Sequence, residues 1–361
     1  MKTIKDSLKT HKPTETIELN SSQPSKSEDM VDFSSLYITA ERFSMVKETE
    51  FFVDGFLAKD VITGIYGNHG IGKSMFMIAL CQFLLLNIKD LKILYFDAEN
   101  HLSTLKTRGV NKLLSMFENR FFLLNGEDEN GNIQCHSRQF LDTYIPDDKN
   151  TLIILDSLRD FYPRGADINT DKSVDLLFDK LKMLRNNSAG VIFLHHPTKR
   201  VEDENGVIEP KGSGGIADNC DYYIQANKAE LDNAVILLFE VTDYGKARGA
   251  FSPKAYEIPK TDEQMCHELE KGNMLLKECD YMEIAVLGNE NNKLLVDELI
   301  EILSKTSDLK QKELIAKLQK ATKLGHNLVF KFLKKFASYY CDIKIAERNA
   351  RIYSLKQKHI L

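Results

Sequence analysis

The chain has 361 residues, 43% of them hydrophobic and 28% charged, which are the proportions of a folded protein with room for one large domain and a small one. Its six cysteines (Cys81, Cys135, Cys220, Cys266, Cys279 and Cys341) include no C-x-x-C pair, which argues for free thiols in a reducing cytosol and against a disulfide framework or a zinc site. The longest apolar stretch, 75–86, contains Gln82 and is too short to cross a bilayer, so the expected location is cytoplasmic, with no membrane partner.

Residues 1–32 are rich in Lys, Thr, Ser, Glu and Pro and lack periodicity, the composition of a flexible tail. From Phe33 the composition turns globular. Residues 61–66 form a short β-branched strand, and Gly67, Asn68, His69, Gly70, Ile71, Gly72, Lys73 and Ser74 then read G-x-x-x-x-G-K-S. The apolar run 75–86 completes a strand, glycine-rich turn and buried helix. That order suits a triphosphate, because the turn aims successive N–H groups at the phosphates and the helix adds its dipole. Lys73 is expected on the β/γ-phosphates and Ser74 on Mg2+, so ATP (or GTP) and Mg2+ are the expected cofactors.

Further strands are expected at 92–97, 120–124, 151–156 and 190–196, alternating with helical stretches such as the amphipathic 170–185. This pattern predicts an α/β domain with a mainly parallel sheet and ligand chemistry at the C-terminal ends of its strands. Asp156 closes one strand and fits the acid that holds Mg2+. Glu99, just beyond another, is the candidate for orienting and deprotonating the attacking water, with Asp97 as runner-up. His196 ends a third and is placed to sense the γ-phosphate. Its neighbour His195 points to the opposite face of the strand, which disfavours a shared metal. Strands at 221–225, 234–242 and 255–258 follow, Asn-Gly turns are expected at 128–131 and 203–206, and 263–292 reads as a connection.

Over about residues 45–260 this set resembles the RecA-like ATPases, within them the hexameric replicative helicases of the plasmid RepA type and their AAA-like relatives. It rests on the phosphate loop, on Tyr95-Phe96-Asp97-Ala98-Glu99-Asn100, on Ile153-Ile154-Leu155-Asp156-Ser157, and on 193–199 in the sensor place. Lys211-Gly212-Ser213-Gly214-Gly215 also matches, with lysine where arginine is usual. The resemblance implies that Glu99 is catalytic and that Lys246 and Arg248, the K-x-R of 246–248, reach into a neighbouring subunit's ATP site. A ring, by that family a hexamer, would follow. Loops 159–170 and 198–211 would line its channel, with Lys199, Arg200 and Lys211 facing single-stranded DNA.

Residues 293–361 hold 15 Lys and Arg against 7 Asp and Glu, whereas the rest of the chain is acidic. Helices are expected at 294–303, 310–320 and 326–336, followed by a hairpin, 343–345 with 351–355, around Glu347-Arg348-Asn349. This order resembles a winged helix, which implies that Lys331, Lys334 and Lys335 enter duplex DNA and that Arg348 touches the backbone. The expected organisation is a tail at 1–32, a RecA-like ATPase domain at 33–262, a connector at 263–292 and a winged-helix domain at 293–361. The expected function is a Mg2+-dependent ATPase acting on DNA as a ring-forming helicase or translocase for a plasmid, phage or integrated element. An ATP-switched DNA-binding regulator or loader is the alternative.

Overall fold

The computed structural model describes residues 37–127, 136–146, 148–162, 165–167, 169–196, 208–210, 214–231, 234–346 and 349–359. The chain divides into two compact units, 1–48 and 49–361. In the first, a short helix, α1 (Ala40–Ser44), is capped by Thr39, which accepts a hydrogen bond from the Arg42 amide at 3.2 Å. Tyr37, Ile38, Phe43, Met45 and Val46 are all exposed around it.

The second unit opens with a small antiparallel pair, β1 (Phe51–Val53) and β2 (Leu57–Ala58). The strand β3 (Ile62–Tyr66), every residue buried, leads into α2 (Lys73–Asn87). That helix is apolar on almost all sides and is accordingly sunk in the core. Its one interior polar side chain, Gln82, is satisfied: it donates to Asn273 O and accepts from the Leu275 amide, both at 2.9 Å. Next come β4 (Lys92–Asp97), α3 (Leu102–Thr107), α4 (Val110–Met116), β5 (Phe121–Leu124), α5 (Ser137–Thr143), β6 (Thr151–Asp156), α6 (Asp171–Asn186) and β7 (Gly190–His195). After α7 (Gly215–Asn219) the chain forms a long hairpin, β8 (Tyr222–Leu231) and β9 (Ala234–Glu240), then the short β10 (Lys246–Ala247) and β11 (Lys254–Ile258).

The stretch 263–292, weakly patterned in sequence, is built mostly of regular elements. They are α8 (Asp262–Glu270), β12 (Lys277–Cys279), α9 (Tyr281–Leu287) and the start of α10 (Glu290–Lys305). The helix α8 buries only Met265 and Leu269, and β12 is a polar edge strand on β11, so neither leaves a strong periodic signal.

The large sheet runs β12-β11-β9-β8-β3-β7-β6-β4-β5, with β10 paired to β8. From β8 to β5 all neighbours are parallel; β9, β11 and β12 continue the sheet antiparallel. The sheet is thus mixed and mainly parallel at its centre. One face packs against α2, α3, α4 and α8, the other against α5 and α6. Because β3, β4, β6 and β7 are parallel, the loops after Tyr66, Asp97, Asp156 and His195 all emerge at one end.

The last part contains α10, β13 (Leu309–Lys310), α11 (Gln311–Thr322), α12 (His326–Tyr340), β14 (Cys341–Ile345) and β15 (Arg351–Leu355), the strands ordered β13-β15-β14. The apolar stripe of α12 (Val329, Phe332, Leu333, Phe336, Ala337, Tyr340) keeps helical spacing beyond the expected end at 336, so the helix continues to Tyr340. This module shares a core with the main sheet through Ala229, Ile236 and Ala255. Among the described residues no helix is long and apolar enough to cross a membrane.

Candidate nucleotide-binding site

The phosphate loop stands where the sequence places it, between β3 and α2. A side chain at Gly67 would meet the carbonyl oxygen of Ala226 at 2.4 Å, so only glycine lets the loop leave the sheet against β8. Lys73 is the first residue of α2 and is buried; its Nζ donates to the carbonyls of Gly67 at 2.7 Å and Asn68 at 2.8 Å. Burial lowers the Lys73 ammonium to about 8, against the opposing pull of Asp156 and Glu99. A cation that sits in low dielectric among backbone carbonyls is set to exchange them for phosphate oxygens.

Asp156 at the end of β6 is paired in register with Asp97 at the end of β4. The Tyr95 hydroxyl donates to Asp156 Oδ2 at 2.8 Å, and the Ser74 hydroxyl also bonds this carboxylate. Burial first, then the charge of Asp97, pushes Asp156 up to about 7. Its Oδ1 is buried and, among the described residues, has no hydrogen-bond partner. A buried orphan carboxylate oxygen beside a serine hydroxyl is a hard-oxygen donor set, and it fits Mg2+.

Asp97, the runner-up for the base, is instead the organiser of its loop. It is wholly buried and accepts from the amides of Glu99 at 3.0 Å and Asn100 at 2.8 Å, while the Asn100 side chain donates to both its oxygens. Asn125 braces the same turn by donating to the carbonyls of Asp97 and Asn100 at 3.0 and 2.7 Å. The turn delivers Glu99 toward solvent, with its side chain 41% exposed and its Oε2 3.1 Å from His196 Nε2. The His196 contact holds the Glu99 carboxyl below its usual range, so it is ionised at neutral pH and able to accept from water.

His69, from the phosphate loop, stacks on His196 with ring centroids 3.9 Å apart and planes 10° from parallel. Burial and the facing His196 lower its pKa. His69, Glu99 and His196 thus bring one ligand atom each within 4.8 Å of one another. His195, by contrast, is buried on the other side of β7, near Tyr223.

The structure brings together Lys73, Ser74, Asp156, Glu99, His69 and His196. Lys246 and Arg248 do not join them. Lys246 lies opposite Tyr223, which is level with Gly64 at the middle of β3, and Arg248 follows beside Asp221 at the start of β3, so the contacts of both side chains run toward that start and away from their own phosphate loop. Arg248 pairs with Asp221 Oδ1 at 3.1 Å, and the other oxygen of Asp221 takes the Ile62 amide at 3.0 Å. Lys246 Nζ donates to the carbonyl of Asp218.

Of the residues expected on DNA, Lys199, Arg200, Lys211 and Arg348 lie outside the described residues, as do the turns at 128–131 and 203–206. Lys331 and Lys334 are exposed on α12. Lys335 is turned toward the ATPase sheet, where its Nζ binds Glu240 of β9, because it follows the stripe that docks the helix there. Sequence reasoning missed Tyr95, Asn100 and Asn125. Only the Asx-turn spacing of Asp97 and Asn100 could have announced one of them.

Residues 39–202 match the family described as AAA domain. The chain has no match among curated proteins. Among solved structures it is similar to the RadB recombinase, with 17% identity over 57% of this chain and 90% of that one at a TM-score of 0.37. It is also similar to a DnaB-like replicative helicase solved in a study of its interactions with primase, with 15% identity over 65% of this chain and 67% of that one at a TM-score of 0.44. The phosphate loop, the paired acids at the strand ends and the family match over 39–202 together describe an α/β P-loop ATPase domain.

Proposed function

We propose that this protein is a Mg2+-dependent ATPase that acts on DNA as a ring of several copies, a helicase or translocase serving a plasmid, phage or integrated element. The observation that carries the reading is the split of the catalytic set between the two ends of β3. Lys73, Ser74, Asp156 and Glu99 gather at one end, whereas the side chains of Lys246 and Arg248 turn toward Asp218 and Asp221 at the start of β3, which supports a role for them in a neighbour's site.

Ser74 and Asp156 would hold Mg2+, which screens the phosphate charge when bound. Lys73 neutralises the β/γ-phosphates, Glu99 takes the proton of the attacking water, and His196, bonded to Glu99, reports on the γ-phosphate. The C-terminal module, read as a winged helix, supplies duplex contacts through Lys331, Lys334 and Arg348. Lys199, Arg200 and Lys211 would face a single strand in the channel. The exposed apolar side chains of 37–46 support assembly, since such a group in one short segment is a common interaction surface.

Subunit mixing tests the ring. Arg248→Ala should lower turnover on the order of 10³-fold while nucleotide binding persists, because its own loop is intact. Mixing it with Lys73→Ala subunits should restore part of the activity, since an intact loop then borrows the neighbour's arginine. Near-normal turnover in Arg248→Ala, with no gain on mixing, would remove the case for a ring. An ATP-switched loader differs from a motor in one readout, strand displacement, which only the motor performs.

A further inference from the structure

A groove of about 530 Å³ opens in the C-terminal module where the N-terminal parts of α11 and α12 meet β15. The buried Ile315 and the exposed rings of Phe330 and His326 line it together with the exposed cations Lys310, Lys312 and Arg351. Phe330 is 41% exposed, unusual for a phenylalanine in a module whose other α12 aromatic rings are buried or partly buried. The His326 ring lies parallel to it within 9°, with centroids 6.2 Å apart. Among the described residues no carboxylate lines the groove.

An exposed aromatic face among exposed cations is the arrangement that takes a base and its phosphates together, because every base has a π-face and every nucleotide a negative charge. A regular duplex cannot use it, since its bases are stacked on one another and present only edges. We propose that this groove is a single-stranded DNA subsite, in which an unpaired base stacks on Phe330 while Lys310, Lys312 and Arg351 face the phosphates of the same strand. The inference rests on the reading that the chain acts on DNA, and it moves the centre of contact. The lysines of α12 were the expected face, but Lys335 is engaged by Glu240, and the open aromatic-basic surface lies at the other end of that helix.

Fluorescence anisotropy on the full chain with labelled oligodeoxythymidylate and with blunt duplex provides the test. Phe330→Ala should weaken single-strand binding about tenfold or more and leave blunt-duplex binding nearly unchanged. Phe330→Trp should keep single-strand affinity, because it keeps the stacking face. Lys312→Ala should lower the salt dependence of single-strand binding by about one phosphate contact. A 2-aminopurine in the oligonucleotide should be quenched on binding, and Phe330→Ala should remove the quenching. An unchanged melting temperature in Phe330→Ala, expected for an exposed ring, excludes misfolding. Wild-type binding with no effect of Phe330→Ala on affinity or quenching overturns the subsite and leaves the DNA reading standing. So does an equal loss on single strand and duplex. Failure of the wild-type chain to bind any DNA overturns both.

Discussion

The strand ends that hold the nucleotide site and the groove in the C-terminal module both depend on charge, yet they use it in opposite ways. At the strand ends the charges are buried and bonded to neutral polar groups: Lys73 to loop carbonyls, Asp156 to the Tyr95 hydroxyl, Asp97 to the amides of its own turn. Burial changes what each group is, lowering the Lys73 ammonium to about 8 and raising Asp156 to about 7. The groove keeps its cations exposed, where solvent screens them and their effects add. Burial turns a few charges into chemistry, while exposure leaves many charges as attraction.

The largest effect expected from this contrast is at Lys73. Lys73→Ala should reduce turnover by 10³-fold or more, because the chief cation facing the β/γ-phosphates is gone. Lys73→Met adds a stability readout. The folded-state value lies below that of the free side chain, so the unfolded chain holds the extra proton between about 8 and 10.5. Stability therefore rises with pH through that window, and a charged Lys73 costs stability below it. Lys73→Met should melt no lower than wild type at pH 7 and should lose the rise above pH 8; a marked drop in its melting temperature at pH 7 would mean the buried charge is not a burden.

Glu99→Gln comes next. It should keep ATP binding and slow hydrolysis by about 10² to 10⁴-fold, since the amide cannot accept the proton. Wild-type turnover would show that the base lies elsewhere, and Asp97, bonded on both oxygens, would be a poor substitute. The smallest effect is at the seam between the regions. Lys335 and Glu240 are 40% and 18% exposed, so Lys335→Ala should cost about 0.5 kcal/mol or less in chemical denaturation. A larger loss would mean that the module is held to the sheet chiefly by charge.

The nucleotide site was legible because its chemistry is local. A short apolar run ending in a polar residue marks the ends of β4, β6 and β7, and G-x-x-x-x-G-K-S marks the loop between β3 and α2. What could not be read depends on register between segments far apart in sequence. Tyr95 meets Asp156 only because β4 lies beside β6. Lys335 meets Glu240 only because α12 docks on β9, and nothing in the alternation of its neighbours separates it from Lys331 or Lys334. The groove was hidden for the same reason, since its aromatic and basic residues come from α11, α12 and β15. The ranking of Glu99 over Asp97 comes from their places at and just beyond the end of β4; the hydrogen bonds that tie Asp97 to its own turn could not be read there.

The hairpin of β8 and β9 carries one further consequence. Its lower half pairs with β3, and at Ala226 its backbone abuts Gly67 of the phosphate loop. Its upper half rises free of β3, and at Ala229 it is pressed by Gly288 at the end of α9, where an added side chain would come within 2.8 Å. A single stiff beam thus touches the nucleotide loop at one point and bears the C-terminal module a few residues higher. Lengthening that span by one residue would turn every side chain above it to the opposite face and unseat the module. The spacing from Ala226 to Ala229 therefore sets the register between the phosphate loop and the end of α9.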